Sequence, residues 1–357
     1  MPHAPDDSPA PERFEALAGL PVALVWVVLL IGSFALITSE TAMPPAERWA
    51  ALTTFTLLTL AYVLQGYTRL YDALGYIVQQ NTRALMALVA LVPTLYVSYS
   101  YTVDAFTWIG LITAVFFVAV PTVAFLQNQC ARYPTLLDGV AVLYLWLSVT
   151  LHLVPDVQLP QRDGQIGFFT YSGIPLLLLL LAARGWSGLG FTWFLRWSDL
   201  LMTLLITGFL LFLLTPIVLA MYPTRPAVMP PTLELLTRAV MIYFFVALPQ
   251  EILFRGVVQK GIERTAERAL HRSARPGNRR WPGSWLPHPR WLSLLLAAVL
   301  SAAAQPLALM LPGGGFLLTF LTSLGYGYVY QHTGKVTASA VVHMLVLWCW
   351  SVFIYDL

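Results

Sequence analysis

The sequence predicts an all-α, polytopic transmembrane helix bundle of about eleven spans, with its N-terminus in the cytoplasm. Three observations predict it. Of 357 residues, 58% are hydrophobic and only 10% charged, where a soluble domain carries about 25% charged residues. Apolar runs close to the roughly 20 residues that a bilayer requires recur along the whole chain. The basic residues, finally, fall almost entirely on alternate connections between those runs.

The runs lie near Leu20–Thr38, Trp49–Tyr67, Ala84–Tyr99, Phe106–Leu126, Leu136–Val154, Phe168–Ala183, Leu200–Met221, Ala239–Phe254, Trp291–Leu311, Phe316–Tyr330 and Val336–Ile354. With the N-terminus inside, the inner connections hold Arg69, Arg83, Arg132, Arg184, Arg196, Lys335 and the basic run from Lys260 to Arg290. Only Arg48, Arg162, Arg225 and Arg238 fall outside. Positive charge is retained on the cytoplasmic side, so this asymmetry orients the chain and places its C-terminus outside. The net charge of +3 is therefore a topological bias. It is no nucleic-acid signal, and anionic lipid headgroups are the expected partner of the basic loop 256–290.

Three regions follow. Residues 1–16 read as a disordered tail, because Met1–Arg13 is rich in Pro, Ala and acid and lacks the positive start of a secretory signal. Residues 17–196 form an N-terminal transmembrane region of about six spans with few polar groups at depth. Asp138 and Asp199 stand near span ends, where headgroup or water contact is expected, and His152 is expected to bond locally. Cys130 and Cys349 are placed too far apart in the bundle to form a disulfide. Residues 197–357 hold every clustered polar feature, and no internal repeat is evident. There Val257–His271 carries an apolar stripe (Val258, Ile262, Ala266, Ala269) beside a basic one (Arg264, Arg268, Arg272), the pattern of a helix lying on the inner leaflet. Ser273–Pro289 reads as an interfacial loop anchored by Trp281 and Trp285. Pro312-Gly313-Gly314-Gly315 reads as a tight outer turn; it lacks the lysine and preceding strand of a phosphate loop.

The chemistry concentrates on three helices. Gln250, Glu251 and Arg255 follow an uncharged approach, and a carboxylate at membrane depth costs about 2.5–3.5 kcal/mol on insertion scales, so it marks a functional site. Glu251 and Arg255, four apart, share a helix face and neutralise one another. Ser301 and Gln305 share a face of the next helix, and His343 lies on the last. Buried polar groups need partners, so the three helices are expected to converge on a partly hydrated cavity. A transporter would need several acids along a path, and only Glu251 qualifies.

On these residues the chain resembles the CPBP intramembrane proteases, also called the CAAX-protease or Abi family. The family's EELLFRG motif stands here as Gln250-Glu251-Ile252-Leu253-Phe254-Arg255-Gly256. Its third region, a tyrosine, then Thr-Gly, then a helical histidine followed four residues later by Asn or Asp, is similar to Tyr328–Lys335 with His343 and Leu347. Its Phe-x-x-x-His matches Ser301–Gln305 by spacing alone. The resemblance spans roughly Ser198–Phe353. It implies an intramembrane endopeptidase acting on membrane-associated peptides or proteins, with Glu251, Arg255 and His343 as the site.

Three of the family's catalytic positions are substituted: Gln250 replaces the general base, Gln305 a histidine, and Leu347 the Asn or Asp. Losing a general base removes about 10²–10⁴ in rate, so weak or lost proteolysis is expected. One route to activity remains, in which Glu251 turns toward the cavity and serves as base beside His343. Pro249 makes such a distortion of the helix physically accessible. The alternative is a pseudoprotease that binds a membrane partner; amides keep volume and hydrogen bonding without proton chemistry. No cofactor is expected, nor a metal, since one imidazole and one carboxylate fall short of a catalytic zinc's three ligands. Arginine outnumbers lysine, as in GC-rich coding, which points to a bacterial inner membrane.

Overall fold

The computed structural model describes residues 10–128, 133–154, 157–160, 166–186, 188–221, 231–273, 288–309 and 315–353; for 10–17, 271–273, 305–309 and 353 the description is of the backbone. The tail 1–9, Cys130, Arg132, Arg162, Arg225, Trp281, Trp285, most of the basic loop and the turn 310–314 lie outside the described residues, as does the side chain of Gln305.

Among the described residues the regular structure is helical, apart from a two-residue antiparallel ladder pairing β1 (Gln158–Leu159) with β2 (Ile166–Gly167). Among the described residues, six helices are long and apolar enough to cross a membrane, and four shorter ones are apolar. The chain divides into two compact units: residues 1–187 with 192–194, and 188–191 with 195–357.

The first unit contains α1 (Ala10–Glu40), α2 (Pro45–Val63), α3 (Thr68–Gln80), α4 (Thr82–Thr102), α5 (Trp108–Gln127), α6 (Leu136–Thr150) and α7 (Phe168–Ala183). Its core is α7. A helix apolar on every face belongs inside, and here the run Leu176–Leu181 is buried on all sides. Tyr171 of α7 bonds Thr59 at 2.6 Å and packs edge-on to Tyr62. Phe169 packs against Tyr96 and Phe117. Asn81 caps α4, Thr107 caps α5, and Thr135 with Asp138 forms a capping box on α6.

Two expectations are corrected in this unit. The stretch around Arg69 is a helix, α3, where hydropathy left a loop. Its inner face docks on the C-terminal turn of α7: Gln79 Nε2 donates to Ala182 O at 2.7 Å, and Tyr71 Oη donates to Trp186 O at 3.2 Å. Asp138 does not reach headgroup or water. It is 2% exposed and paired with Arg184 at 3.2 Å, because Arg184 follows the buried α7 and needs a counterion there. His152, exposed and with φ at 51°, sits in the left-handed turn that ends α6.

The second unit contains α8 (Trp197–Met221), a long compound helix α9 (residues 232–273), α10 (Pro289–Leu309), α11 (Gly315–Thr333) and α12 (Val336–Phe353). Leu210, Leu214 and Val218 of α8 pack with Tyr326 and Val329 of α11 and with Ala338, Val342, Val346 and Trp350 of α12. Gly325 permits the closeness of α8 and α11, since a Cβ there would fall 2.7 Å from a Leu210 methyl. Asp199, too, departs from the sequence expectation. It is buried against Lys335 at 2.8 Å, tying the start of α8 to the start of α12. Cys349 is free and half-buried.

Within α9 the hydrogen-bond pitch widens twice. Ile242–Ala247 and Ile252–Gln259 are π-helical, with Leu248–Glu251 between them. Pro249 lacks an N–H and crowds the preceding turn, and a widened pitch accommodates it. Each widened turn also rotates the residues that follow, which sets where Glu251 and Arg255 point.

Candidate intramembrane polar site

Glu251 and Arg255 form the ion pair their spacing predicts, with Arg255 Nε 3.0 Å from Glu251 Oε2. Both side chains are buried, Arg255 completely. From α12, His343 brings Nδ1 to 2.9 Å from Glu251 Oε1, and Ser339, one turn earlier, brings its hydroxyl to 2.5 Å from Oε2. From α11, Ser323 accepts from Arg255 Nη2 through both its hydroxyl (2.7 Å) and its carbonyl (2.9 Å). Tyr326 lies on the imidazole of His343, with ring centroids 4.5 Å apart and planes 17° from parallel.

The network determines proton positions. A carboxylate beside a guanidinium acts as acceptor, so Nδ1 of His343 carries a hydrogen toward Glu251, and the ring's lone pair lies on Nε2. Both carboxylate oxygens are taken: Oε1 by His343, Oε2 by Arg255 and Ser339. Glu251 therefore orients the imidazole and neutralises Arg255 where it stands. Its lone pairs are not directed at an open volume.

Arg255 continues a polar column along α9. One turn on, Gln259 is 1% exposed and donates to the Gly327 carbonyl at 3.3 Å. Two buried atoms of this column, Arg255 Nη1 and Gln259 Oε1, have no hydrogen-bond partner among the described residues. They lie 3.6 and 2.9 Å from the point where a Cβ on Gly327 would stand. A donor and an acceptor so placed suit a bridging water.

The structure thus unites Glu251, Arg255 and His343. Of the substituted positions, Gln250 is half-buried beside Glu251, and Leu347 is half-buried one turn beyond His343. Ser301 is buried on α10, while the contacts of Gln305 fall outside the described side chains. Among the described residues, a third helix, α11, joins the network through Ser323 and Tyr326. Ser323, Tyr326, Ser339 and Gln259 escaped the sequence reading. Their signal was small and polar residues interrupting apolar runs, which marks close helix approach as readily as chemistry.

A metal does not fit this donor set. Among the described residues no three His, Cys, Asp or Glu side chains cluster. Both oxygens of Glu251 are spent on neighbouring donors, with a guanidinium alongside, which leaves Nε2 of His343 as a single ligand.

Residues 232–349, about a third of the chain, match the family described as Type II CAAX prenyl endopeptidase Rce1-like. No curated protein and no solved structure matches the chain. The matched stretch contains all of α9, α10 and α11, and α12 as far as Cys349.

Proposed function

We propose, from the match of residues 232–349 to the CAAX-protease family, that this multi-pass membrane protein keeps the family's scaffold as a binding domain for a membrane-associated peptide or protein, with family-type proteolysis lost or severely weakened. One observation carries the reading. The carboxylate nearest the imidazole, Glu251, is bound on both oxygens by Arg255, Ser339 and His343, and the position before it, where the family places its base, holds an amide. An ion-paired, fully bonded carboxylate is a poor proton acceptor. The chain's home on this reading is a bacterial inner membrane.

The test is restoration. Purified protein in liposomes, given a farnesylated CAAX peptide, is expected to release product at a rate about 10²–10⁴ below that of an intact site. Gln250→Glu, Gln305→His and Leu347→Asn together are expected to raise the rate toward that level. A well-folded triple variant that stays silent refutes the alignment of these positions with the family's site.

The Glu251–His343 pair favours a second reading. A carboxylate holding Nδ1–H leaves Nε2 as a general base, the arrangement that activates nucleophiles in hydrolytic triads. On this reading slow cleavage runs through His343, and Glu251→Gln abolishes it while the protein remains in the membrane. Undiminished cleavage by that variant eliminates this reading.

A further inference from the structure

We propose that α3 is an interfacial helix, with Leu70, Leu74 and Ile77 set among the lipids of one leaflet, at the boundary between headgroups and acyl chains, and with Arg69, Asp72 and Gln80 in water. This surface belongs to the N-terminal unit and is independent of whether the family-matched stretch binds or cleaves.

The neighbouring helices fix the depth of α3. The membrane-crossing helix before it ends at Gly66, and the one after it begins at Thr82. Only Tyr67 and Asn81 join these to α3. Its 13 residues measure about 20 Å at 1.5 Å per residue, against about 30 Å of hydrocarbon. α3 is therefore too short to carry the chain back across, and it lies at the face where α2 ends and α4 begins.

The helix divides into three stripes, each at helical spacing. Tyr71, Gly75 and Val78 face the protein. Val78 is fully buried, and a Cβ on Gly75 would stand 3.4 Å from Ala182 O. Leu70, Leu74 and Ile77 form an apolar stripe that protein leaves open, with Leu70 40% and Ile77 50% exposed. Arg69, Asp72, Tyr76 and Gln80 form the third stripe, and all four are exposed. An open apolar stripe beside a charged one, on a helix of low overall hydrophobicity, is the pattern of helices lying in the plane of a bilayer. A tyrosine among the polar residues suits headgroup depth. Lipid is also what adjoins the stripe, since Leu57 of α2 and Met86 of α4 are exposed apolar residues on the flanking spans. Seated there, α3 gives the carbonyls of Ala182 and Trp186, at and just past the end of α7, the donors that lipid lacks.

The test is site-directed spin labelling of the full-length protein in lipid nanodiscs, with Cys130 and Cys349 replaced. Nitroxides are attached singly at Arg69→Cys, Leu70→Cys, Ile77→Cys and Gln80→Cys, and at Leu91→Cys midway along α4. All five positions are exposed, so the labels leave the packing intact. Power saturation compares collisions with oxygen, which concentrates in lipid, and with a water-soluble nickel chelate. The oxygen-to-nickel ratio at positions 70 and 77 is expected to exceed that at 69 and 80 several-fold, and to fall below that at 91. Equal ratios on the two faces would put the apolar stripe in water and overturn the proposal. Labels at 70 and 77 shielded from both reagents would reveal a protein cover, and a ratio matching position 91 would place α3 in the hydrocarbon core; either overturns it too. Each face is read at two positions, so the comparison survives the loss of one variant to misfolding.

Discussion

Glu251 meets three neighbours from two other turns of structure, and that saturation governs what its substitution would do. Removing one partner of a buried ion pair costs about 3–5 kcal/mol, because the survivor is left charged and alone. Glu251→Gln is expected to lower the thermal midpoint in detergent clearly, and Arg255→Met in the same chain should recover part of the loss. A midpoint unchanged in Glu251→Gln would mean that the pair contributes nothing. The identities of Glu251, Arg255 and His343 were legible in the sequence, since charge and imidazole stand out in apolar runs. The Glu251–Arg255 pair was legible too, from its spacing, but the bond from Glu251 to His343 was not, as 92 residues separate them. Asp138 and Asp199 show the same limit. Proximity to a span end suggested solvent, yet Arg184 and Lys335 wait for them inside.

Among the elements, α9 and α11 decide the geometry. Pro249 signalled distortion in α9, and the π-helical turns on either side of it aim Glu251 and Arg255 at α11 and α12. In α11 the small residues set the approach. A Cβ on Gly327 would meet Leu294 at 2.5 Å and Gln259 Oε1 at 2.9 Å, and both belong to packed helices. Gly327→Val is therefore expected to destabilise by about 1–3 kcal/mol through overpacking, read as a lower midpoint; a neutral result would show that α10 and α11 can part freely. Over its described residues each of the eleven apolar runs falls mainly on a helix, because a long uncharged run has no other stable form in lipid. The twelfth helix, α3, was missed for a physical reason. Arg69, Asp72, Gln79 and Gln80 dilute its hydropathy, so a spanning-length average cannot see it, although Tyr71, Gly75 and Val78 repeat with a helical period.

At the scale of the molecule, charge asymmetry is expected to orient the chain, with the basic segment 256–290 toward the cytoplasm. In a background with Cys130 and Cys349 replaced, Ser284→Cys should react with a membrane-impermeant maleimide only in inside-out vesicles. Reaction in right-side-out vesicles would invert the topology. The same surface is expected to hold anionic lipid, with each Lys or Arg near the membrane worth about 1 kcal/mol. Vesicles lacking anionic lipid should then co-sediment with a soluble peptide of residues 256–290 much less than vesicles containing it.

Composition and run length alone determined that this chain is a multi-pass helical membrane protein, because the cost of unbonded backbone in lipid allows so little else. The motif around Glu251 and Arg255 likewise carried a resemblance in local spacing, and the family match falls on the same stretch, residues 232–349. Only the tertiary structure decided what surrounds them: which helix packs Ser323 against Arg255, that both oxygens of Glu251 are occupied, and that Leu189 lies against Gly256. Hydrogen bonds between helices depend on rotation and register to within an ångström, and a linear pattern of residue types does not carry that precision.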